Sequence, residues 1–429
     1  MLTQQELKEL TKPKTYAHSI PRTQYITKIK PWLDNKEIII LKGIRRCGKT
    51  HIMHQLIQTL PQTNVFYANF DQFQYDQHLS IQLLEEILNL RNKKEKAYFF
   101  FDEIQRIQGF EKWLRTYYDK EENIKFIIGG SNTSLLTPTL ATVLTGRNIT
   151  FIIKTLNYTE YQEFTSNPTL EEYLTYGGFP EIVQQDDNEK KKQLLQQYIE
   201  DIIVKDILYK TNTEHTKQLR GLAIHLINNP GTKITANKLG KRLGIHKDTA
   251  QKYLEHIKDA FIIFKVPHHL HTTKTKYIAN QAPKYYVTDN GLHTAVTTKK
   301  NTGILYENLI AITLQEQEPT YWQNNKTEID FITKTHAIQV TATNNPPTRE
   351  QEAFKEFKKK NPKYNHILIT PETTPNSTAI TTFITHLKKK RLMPKQSMAQ
   401  KGAPTPIAHQ QKIIVLQENI HKTRSCPGT

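Results

Sequence analysis

A chain of 429 residues with two cysteines is too long for one compact core and too poor in cysteine for a disulfide-built secreted domain. No apolar run reaches the roughly 20 residues that span a membrane, and the opening MLTQQELKEL lacks the apolar segment of a signal peptide, so two to four domains in a cytoplasmic setting, off the membrane, are expected. A net charge of +18 fits a polyanion partner or a surface tuned for solubility, and charge alone does not choose between them.

In chain order, Ser19-Ile20-Pro21-Arg22 reads as a turn and Tyr25 to Leu33 as a short helix. Arg22 and Tyr25 suit either the neighbourhood of an adenine or plain packing. Glu37 to Lys42, EIIILK, is a short run suited to a strand buried on both faces. It leads into Gly43-Ile44-Arg45-Arg46-Cys47-Gly48-Lys49-Thr50, the phosphate-loop pattern, with His51 following. Ile52, Met53, Leu56, Ile57 and Leu60 then recur at helical spacing until Pro61 stops the helix. Strand, glycine loop and helix form the context that the motif needs. The glycines let backbone N–H groups point inward at an anion, and the helix N-terminus adds partial positive charge. Residues Gly43 to His51 are therefore the expected ATP-binding loop. Lys49 would neutralise the β- and γ-phosphates and Thr50 would ligate Mg²⁺. Of Arg45 and Arg46, one is expected at phosphate and the other in water.

Asn64 to Ala68 reads as a second strand and Leu79 to Leu90 as a helix. Ala97 to Phe101 is an apolar strand ending in Asp102 and Glu103. A strand-tip carboxylate can hold the water shell of Mg²⁺, the role expected of Asp102. Its neighbour Glu103 can orient and polarise the attacking water. Gly109 to Asp119 reads as a helix, and Ile124 to Ile128 as a strand ending in Gly129-Gly130-Ser131-Asn132. Asn132, with Ser131 second, is a candidate contact for the γ-phosphate; a plain turn is the alternative. Thr145-Gly146-Arg147 precedes the strand Ile149 to Ile153. Arg147 is either an arginine finger, acting within the chain or across a subunit interface, or a solvent-exposed side chain. Alternating strands and helices give a parallel α/β sheet, with Lys49, Asp102 and Asn132 at its carboxyl ends.

GIRRCGKT, YFFFDEIQ, IIGGSNTSLL and LTGRNITFII, in that order, resemble the AAA+-type ATP-binding proteins of archaea and bacteria. The resemblance runs to about Arg391. It implies a P-loop ATPase followed by a winged helix and a nuclease-like domain, and it implies nucleotide use more than any biological task.

Leu156 to Tyr209 reads as mostly helical, with Gly177 of the Gly177-Gly178-Phe179-Pro180-Glu181 stretch as a helix C-cap. Leu194 to Tyr209 is an amphipathic helix expected to pack a lid or link the halves without chemistry of its own. Lys233 to His271 resembles a winged helix-turn-helix: Ile234 to Leu243, a turn at Gly244-Ile245, His246 to Ala260, then a wing strand from Phe261 to Val266. Nine Lys or Arg against three acids over 233–274 favour DNA or RNA, with Lys247 placed to meet phosphate or a base edge. Glu255 on the same face works against DNA, and a protein partner is the alternative. Farther on, Glu307, Asp330, Gln339 and Thr341 have the spacing of a restriction-endonuclease-like fold. Thr341 stands where such a site needs Lys, so an inactive scaffold is expected. The basic stretch after Arg391 reads as a disordered tail.

The expected architecture is α/β. A P-loop NTPase core with a parallel sheet (1–155) is followed by a helical lid (156–220), a winged helix-turn-helix (221–278), an α/β restriction-endonuclease-like domain (279–392) and a tail (393–429). The expected function is Mg²⁺-dependent ATP hydrolysis that controls the C-terminal half, alone or in a homo-oligomer. The alternative is a nucleic-acid-binding regulator that uses ATP as a conformational ligand.

Overall fold

The strand β1, Ile38–Lys42, forms from consecutive isoleucines and a leucine and is buried along its whole length. The computed structural model describes residues 2–13, 19–61, 63–120, 122–130, 142–208, 211, 215–269, 282–298, 301–324, 327–375 and 377–392. Four strands join β1 in one sheet: β2 (Val65–Asn69), β3 (Ala97–Asp102), β4 (Ile124–Gly129) and β5 (Asn148–Ile152). The order is β2-β3-β4-β1-β5 and every pairing is parallel, as the alternation of strands and helices predicts. Helices Lys49–Ile57, Ile81–Leu88 and Phe110–Asp119 make the first three crossovers.

Side chains alternate across this sheet. Ile39, Leu41, Phe100 and Ile127 join one apolar cluster, and Ile38, Ile40, Phe99, Phe101 and Ile128 the other. Phe99, Phe100 and Phe101 are all fully buried, and burial of each contributes roughly 2–3 kcal/mol.

The middle of the chain is helical: Tyr158–Phe164, Leu170–Tyr176, Pro180–Val183 and Asn188–Asp201, the last continuing through a π-helical turn, Ile202–Leu208. Helix Thr216–Asn228 follows, then β6 (Thr232–Lys233), helices Ala236–Leu243 and Lys247–Asp259, β7 (Ile263–Val266) and β8 (Lys284–Val287). These strands form an antiparallel sheet in the order β6-β8-β7. Gly244 makes the turn between the two helices in a left-handed conformation, and the second buries Ala250, Tyr253, Leu254 and Ile257. One apolar cluster runs without a break from β1 through helix Asn188–Asp201 to these helices.

After helices Asn290–Val296 and Thr302–Leu314, a third sheet is built from β9 (Thr320–Asn324), β10 (Thr327–Ile332), β11 (His336–Val340), β12 (Asn365–Thr370) and β13 (Thr378–Ala379). Its order is β13-β12-β11-β10-β9. The β9–β10 and β10–β11 pairs are antiparallel, and the β11–β12 and β12–β13 pairs parallel. Helix Thr348–Lys360 carries the crossover between β11 and β12 and packs Ala353 and Phe357 on Trp322 and Ile329. The chain divides into two compact units, Met1–Thr385 and His386–Thr429. The expected tail, 393–429, lies outside the described residues. Among the described residues, no helix is long and apolar enough to cross a membrane.

The turn at Gly177-Gly178 fixes the helical middle to the start of helix Asn290–Val296. Gly177 ends helix Leu170–Tyr176 at a φ of 73°, as expected of a C-cap, and donates to the Tyr173 carbonyl at 2.9 Å. A side chain there would collide with Asp289, since a Cβ would lie 1.7 Å from its Oδ1. The buried Asp289 carboxylate accepts N–H groups from Gly178 at 2.8 Å and Gly291 at 2.9 Å, the second capping helix Asn290–Val296. Burial pushes its pKa up to about 6, against the opposing pull of these hydrogen bonds. A carboxyl raised in the folded state contributes stability that is full below the unfolded pKa and is lost as pH rises through the folded one. The stability of the wild type relative to Asp289→Asn should therefore fall by about 2–3 kcal/mol between about pH 4 and pH 7. Urea unfolding of both proteins across this range checks it, and a pH-independent difference would contradict the burial argument.

Candidate nucleotide site

The phosphate loop leaves the carboxyl end of β1 and enters helix Lys49–Ile57. Its first glycine is required by close approach: a Cβ at Gly43 would lie 2.1 Å from the Ile153 carbonyl oxygen. Ile44 and Cys47 are buried and anchor the loop from below. Lys49 folds back over the loop, its Nζ donating to the carbonyls of Gly43 at 3.0 Å and Ile44 at 3.1 Å. Thr50 donates its hydroxyl to Asp102 Oδ2 at 2.5 Å, joining the helix start to the tip of β3.

Asp102 is 3% exposed, and burial raises its pKa while the Thr50 hydroxyl and Lys49 oppose the rise. Glu103 comes next in a left-handed conformation, φ 55°, which is strained for a residue with a Cβ. Its N–H is held by the Gly129 carbonyl at 2.8 Å, and Gln105 donates to its carboxylate. Burial also raises the Glu103 pKa, with the Asp102 charge adding to the rise. Lys49, Thr50, Asp102 and Glu103 line one cavity of about 890 Å³, as do Arg45, Arg46, Gly48 and His51.

Both loop arginines are paired with carboxylates, and neither is left to water alone. Arg45 grips Asp206 through two bonds of 3.0 Å. Arg46 meets Glu181 at 3.1 Å and Asp201 at 3.5 Å, and its guanidinium lies 4.5 Å from the centre of the Tyr198 ring. The amphipathic helix expected to do no chemistry thus supplies acids to the phosphate loop. The π turn is the physical reason this was hidden: widened bonding shifts which side chains share a face, and a period of 3.6 no longer locates Asp206. Asn69 and Asp71, at the tip of β2, also line the cavity. The strand-tip reasoning applied to Asp102 could have found Asn69, which pairs with it in register.

Arg22 lines the edge of the same cavity, but its guanidinium is committed to protein acceptors. It is 2% exposed and bound to Glu160, Cys47 and Lys154. Tyr25 stacks beneath it and accepts the Lys154 N–H at 3.1 Å, so packing is the reading that holds for both. Arg147 is not brought to the site. It precedes the amino end of β5, level with the start of β1, and the loop lies beyond the opposite end, roughly 17 Å away along five strand residues. There it binds Asp119 at 3.0 Å. Asn132 and Ser131 lie outside the described residues.

In the C-terminal part, Glu307 of helix Thr302–Leu314 and Asp330 of β10 do converge, as their spacing predicts. A cation is there as well, from an unexpected place: Lys284 of β8 reaches Glu307 at 3.1 Å and Asp330 at 3.8 Å and also pairs with Glu328. Gln339 accepts the Asp330 N–H at 3.3 Å.

An AAA domain is matched over residues 35–162, and a domain of unknown function (DUF8612) over residues 167–303. The second match carries no description as a winged helix or a nuclease. The uncharacterized protein MJ1544 of Methanocaldococcus jannaschii is 30% identical over 352 residues, covering 74% of this chain and 77% of that one. An uncharacterized protein of Haemophilus influenzae is 28% identical over 342 residues, covering 73% and 84%. Among solved structures, the Walker-type ATPase PABY2304 of Pyrococcus abyssi is 17% identical, covering 66% of this chain and 98% of that one at a TM-score of 0.47. The Aeropyrum pernix Orc1 protein, in complex with DNA, is 9% identical, covering 65% and 92% at a TM-score of 0.31. The identity to MJ1544 extends over most of both chains, well past the phosphate loop, and the chain belongs to that protein's family, with a P-loop nucleotide-binding domain of AAA type at its head.

Proposed function

We propose that the chain is a Mg²⁺-dependent ATPase whose nucleotide state controls the C-terminal half. The observation that carries this reading is the Thr50–Asp102 contact of 2.5 Å, at a cavity shared by Lys49 and Glu103. A hydroxyl and a carboxylate side by side are hard oxygen donors of the kind Mg²⁺ takes, and a cavity of about 890 Å³ has room for a nucleoside triphosphate. Thr50 and Asp102 would hold the ion, which when bound neutralises charge on the β- and γ-phosphates. Lys49 exchanges its loop carbonyls for phosphate oxygens. Glu103, held by Gln105, orients the attacking water and accepts its proton. Asn132 completes the contact to the γ-phosphate. Any role of Arg147 at a nucleotide falls to a neighbouring copy in a homo-oligomer, because within the chain it lies at the wrong end of the sheet.

The order helix, β6, helix, helix, β7 supports the winged-helix reading of 221–278, although β8, which completes its sheet, lies past residue 278, and the mixed sheet from β9 to β13 supports the nuclease-like reading of 279–392. Lys247 is exposed at the start of the second helix, and Glu255 is occupied by Gln251 and Lys258, which reduces its objection to DNA or RNA. A second reading, ATP as a conformational ligand with negligible turnover, is favoured by the arginine–carboxylate pairs across the loop. Steep weakening of DNA binding with salt would separate a nucleic-acid regulator from a protein-docking adaptor.

Hydrolysis by the purified chain with Mg²⁺, beside Lys49→Ala and Glu103→Gln, is the primary test. Wild type should turn over, Lys49→Ala should lose nucleotide, and Glu103→Gln should bind it while turning over about 100-fold more slowly. Equal binding by all three without turnover would remove the ATPase reading. Asp206→Asn should release Arg45 toward phosphate and tighten ATP by about fivefold or more, measured by titration with a fluorescent ATP analogue. Unchanged affinity would mean that Arg45 serves only to hold the helix.

A further inference from the structure

Lys284 begins β8, but its ammonium leaves the three-stranded sheet and is 4% exposed among acids of the C-terminal part. Glu307 comes from helix Thr302–Leu314, and Glu328 and Asp330 from alternate positions of β10. Each acid is held in place by something besides Lys284. Tyr286 donates its hydroxyl to Glu307 Oε1 at 2.7 Å. The Val340 N–H donates to Asp330 Oδ2 at 2.9 Å. Lys233 of β6 pairs with the other oxygen of Glu328.

Three carboxylates from two elements facing one centre repel each other unless a cation sits between them. The donor set is also the one that hard divalent cations take, at about 2.0–2.6 Å. Here the centre is held by an ammonium that pairs closely with Glu328 and stands at the wider spacing of salt bridges from the other two acids, 3.1 Å from Glu307 and 3.8 Å from Asp330. With Lys284 among them these acids form no metal site, and among the described residues no group of three or more acids, histidines or cysteines could hold a metal ion as placed. Lys284 also ties β8 to β10, and Lys233 does the same from β6, so the charge that fills the centre joins the two sheets.

We propose that the Lys284 ammonium takes the place of a divalent cation in this carboxylate cluster, making it a metal-free clamp between the three-stranded sheet and the C-terminal sheet, and that removing the ammonium opens a latent Mg²⁺ or Mn²⁺ site on Glu307, Glu328 and Asp330. The proposal deepens the nuclease-like reading and rests on it for the comparison with a metal-dependent nuclease. The cluster itself stands on its own geometry, and the ATPase reading is untouched by either result.

The test uses the full chain without nucleotide, carrying Asp102→Asn so that the phosphate-loop site adds no ion. Mn²⁺ binding is followed by electron paramagnetic resonance and by melting. With Lys284 present, adding Asp330→Asn should leave Mn²⁺ binding unchanged. Lys284→Met should gain one Mn²⁺ site per chain, melt lower without Mn²⁺ and recover by several degrees with it; Asp330→Asn should abolish both the site and the recovery. Lys284→Arg, which keeps a cation, should fold and gain no site. If Lys284→Met does not fold, the Lys284-containing pair and Lys284→Arg still decide. Mn²⁺ binding lost on Asp330→Asn while Lys284 is present would overturn the proposal. So would a folded Lys284→Met without a new site, a new site in Lys284→Arg, or metal-dependent DNA nicking by the wild type that Lys284→Met abolishes.

Discussion

A buried guanidinium ties the phosphate loop to the exit of β5 and to the first helix of the middle region. Arg22 donates to Cys47 O at 3.0 Å, Lys154 O at 2.8 Å and Thr155 O at 3.4 Å, and to the two Glu160 oxygens at 2.9 and 2.8 Å. Five N–H groups meet five acceptors, which is what an arginine needs when it is removed from water. Glu160 in turn closes the capping box with Asn157 that starts helix Tyr158–Phe164. The loop, the exit of β5 and the first helix of the middle region therefore share one charge pair. From the other side the loop is fixed by the Gly43 approach to Ile153, whose N–H reaches the Lys42 carbonyl at 2.6 Å. A change in loop shape is transmitted directly to Glu160.

The parts of the fold written in local pattern were legible in the sequence. The β1 run, the glycine loop and the helix after it lie where their residues put them. So do the acid-tipped β3 and the two helices around Gly244, because burial on both faces, helical spacing and left-handed turns each leave a signature within a few residues. Charge pairing across the fold leaves none. Arg22 looked equally suited to a base or to packing, and only the fold shows which acceptors surround it. Asp206 escaped because the π turn breaks the period by which a helix face is read. Lys284 was invisible as a partner of Glu307 and Asp330 because it belongs, by sequence, to a different module. The lysine missing at Thr341 was sought on the same strand, while the cation in the structure arrives from another sheet.

Modules that look separable in sequence share a core. The apolar cluster beneath β1 takes in Ile199 and Ile203 of the long helix and its π turn, Leu222 and Leu226 of the next helix, and Tyr253 and Leu254 of helix Lys247–Asp259. Packed interiors transmit displacement because they contain few voids to absorb it. A shift of the π turn caused by Asp206 is therefore felt at the helix that carries Lys247. The route is contiguous contact, and it becomes coupling only where the π turn has two arrangements that nucleotide distinguishes.

Charge decides whether such a distinction exists. Arg45 and Arg46 are paired with Asp206, Asp201 and Glu181, and Lys49 lies on backbone carbonyls. The cations that suit a triphosphate already have partners, so phosphate binding is an exchange and not a simple addition. Asp206 is 2% exposed, so water does not replace the ion pair that is lost if Arg45 turns away. Either that pair is given up to phosphate, or Lys49 and the loop amides hold the nucleotide without Arg45. The buried carboxylate thus makes the helix a party to nucleotide binding in a way that a surface acid would not.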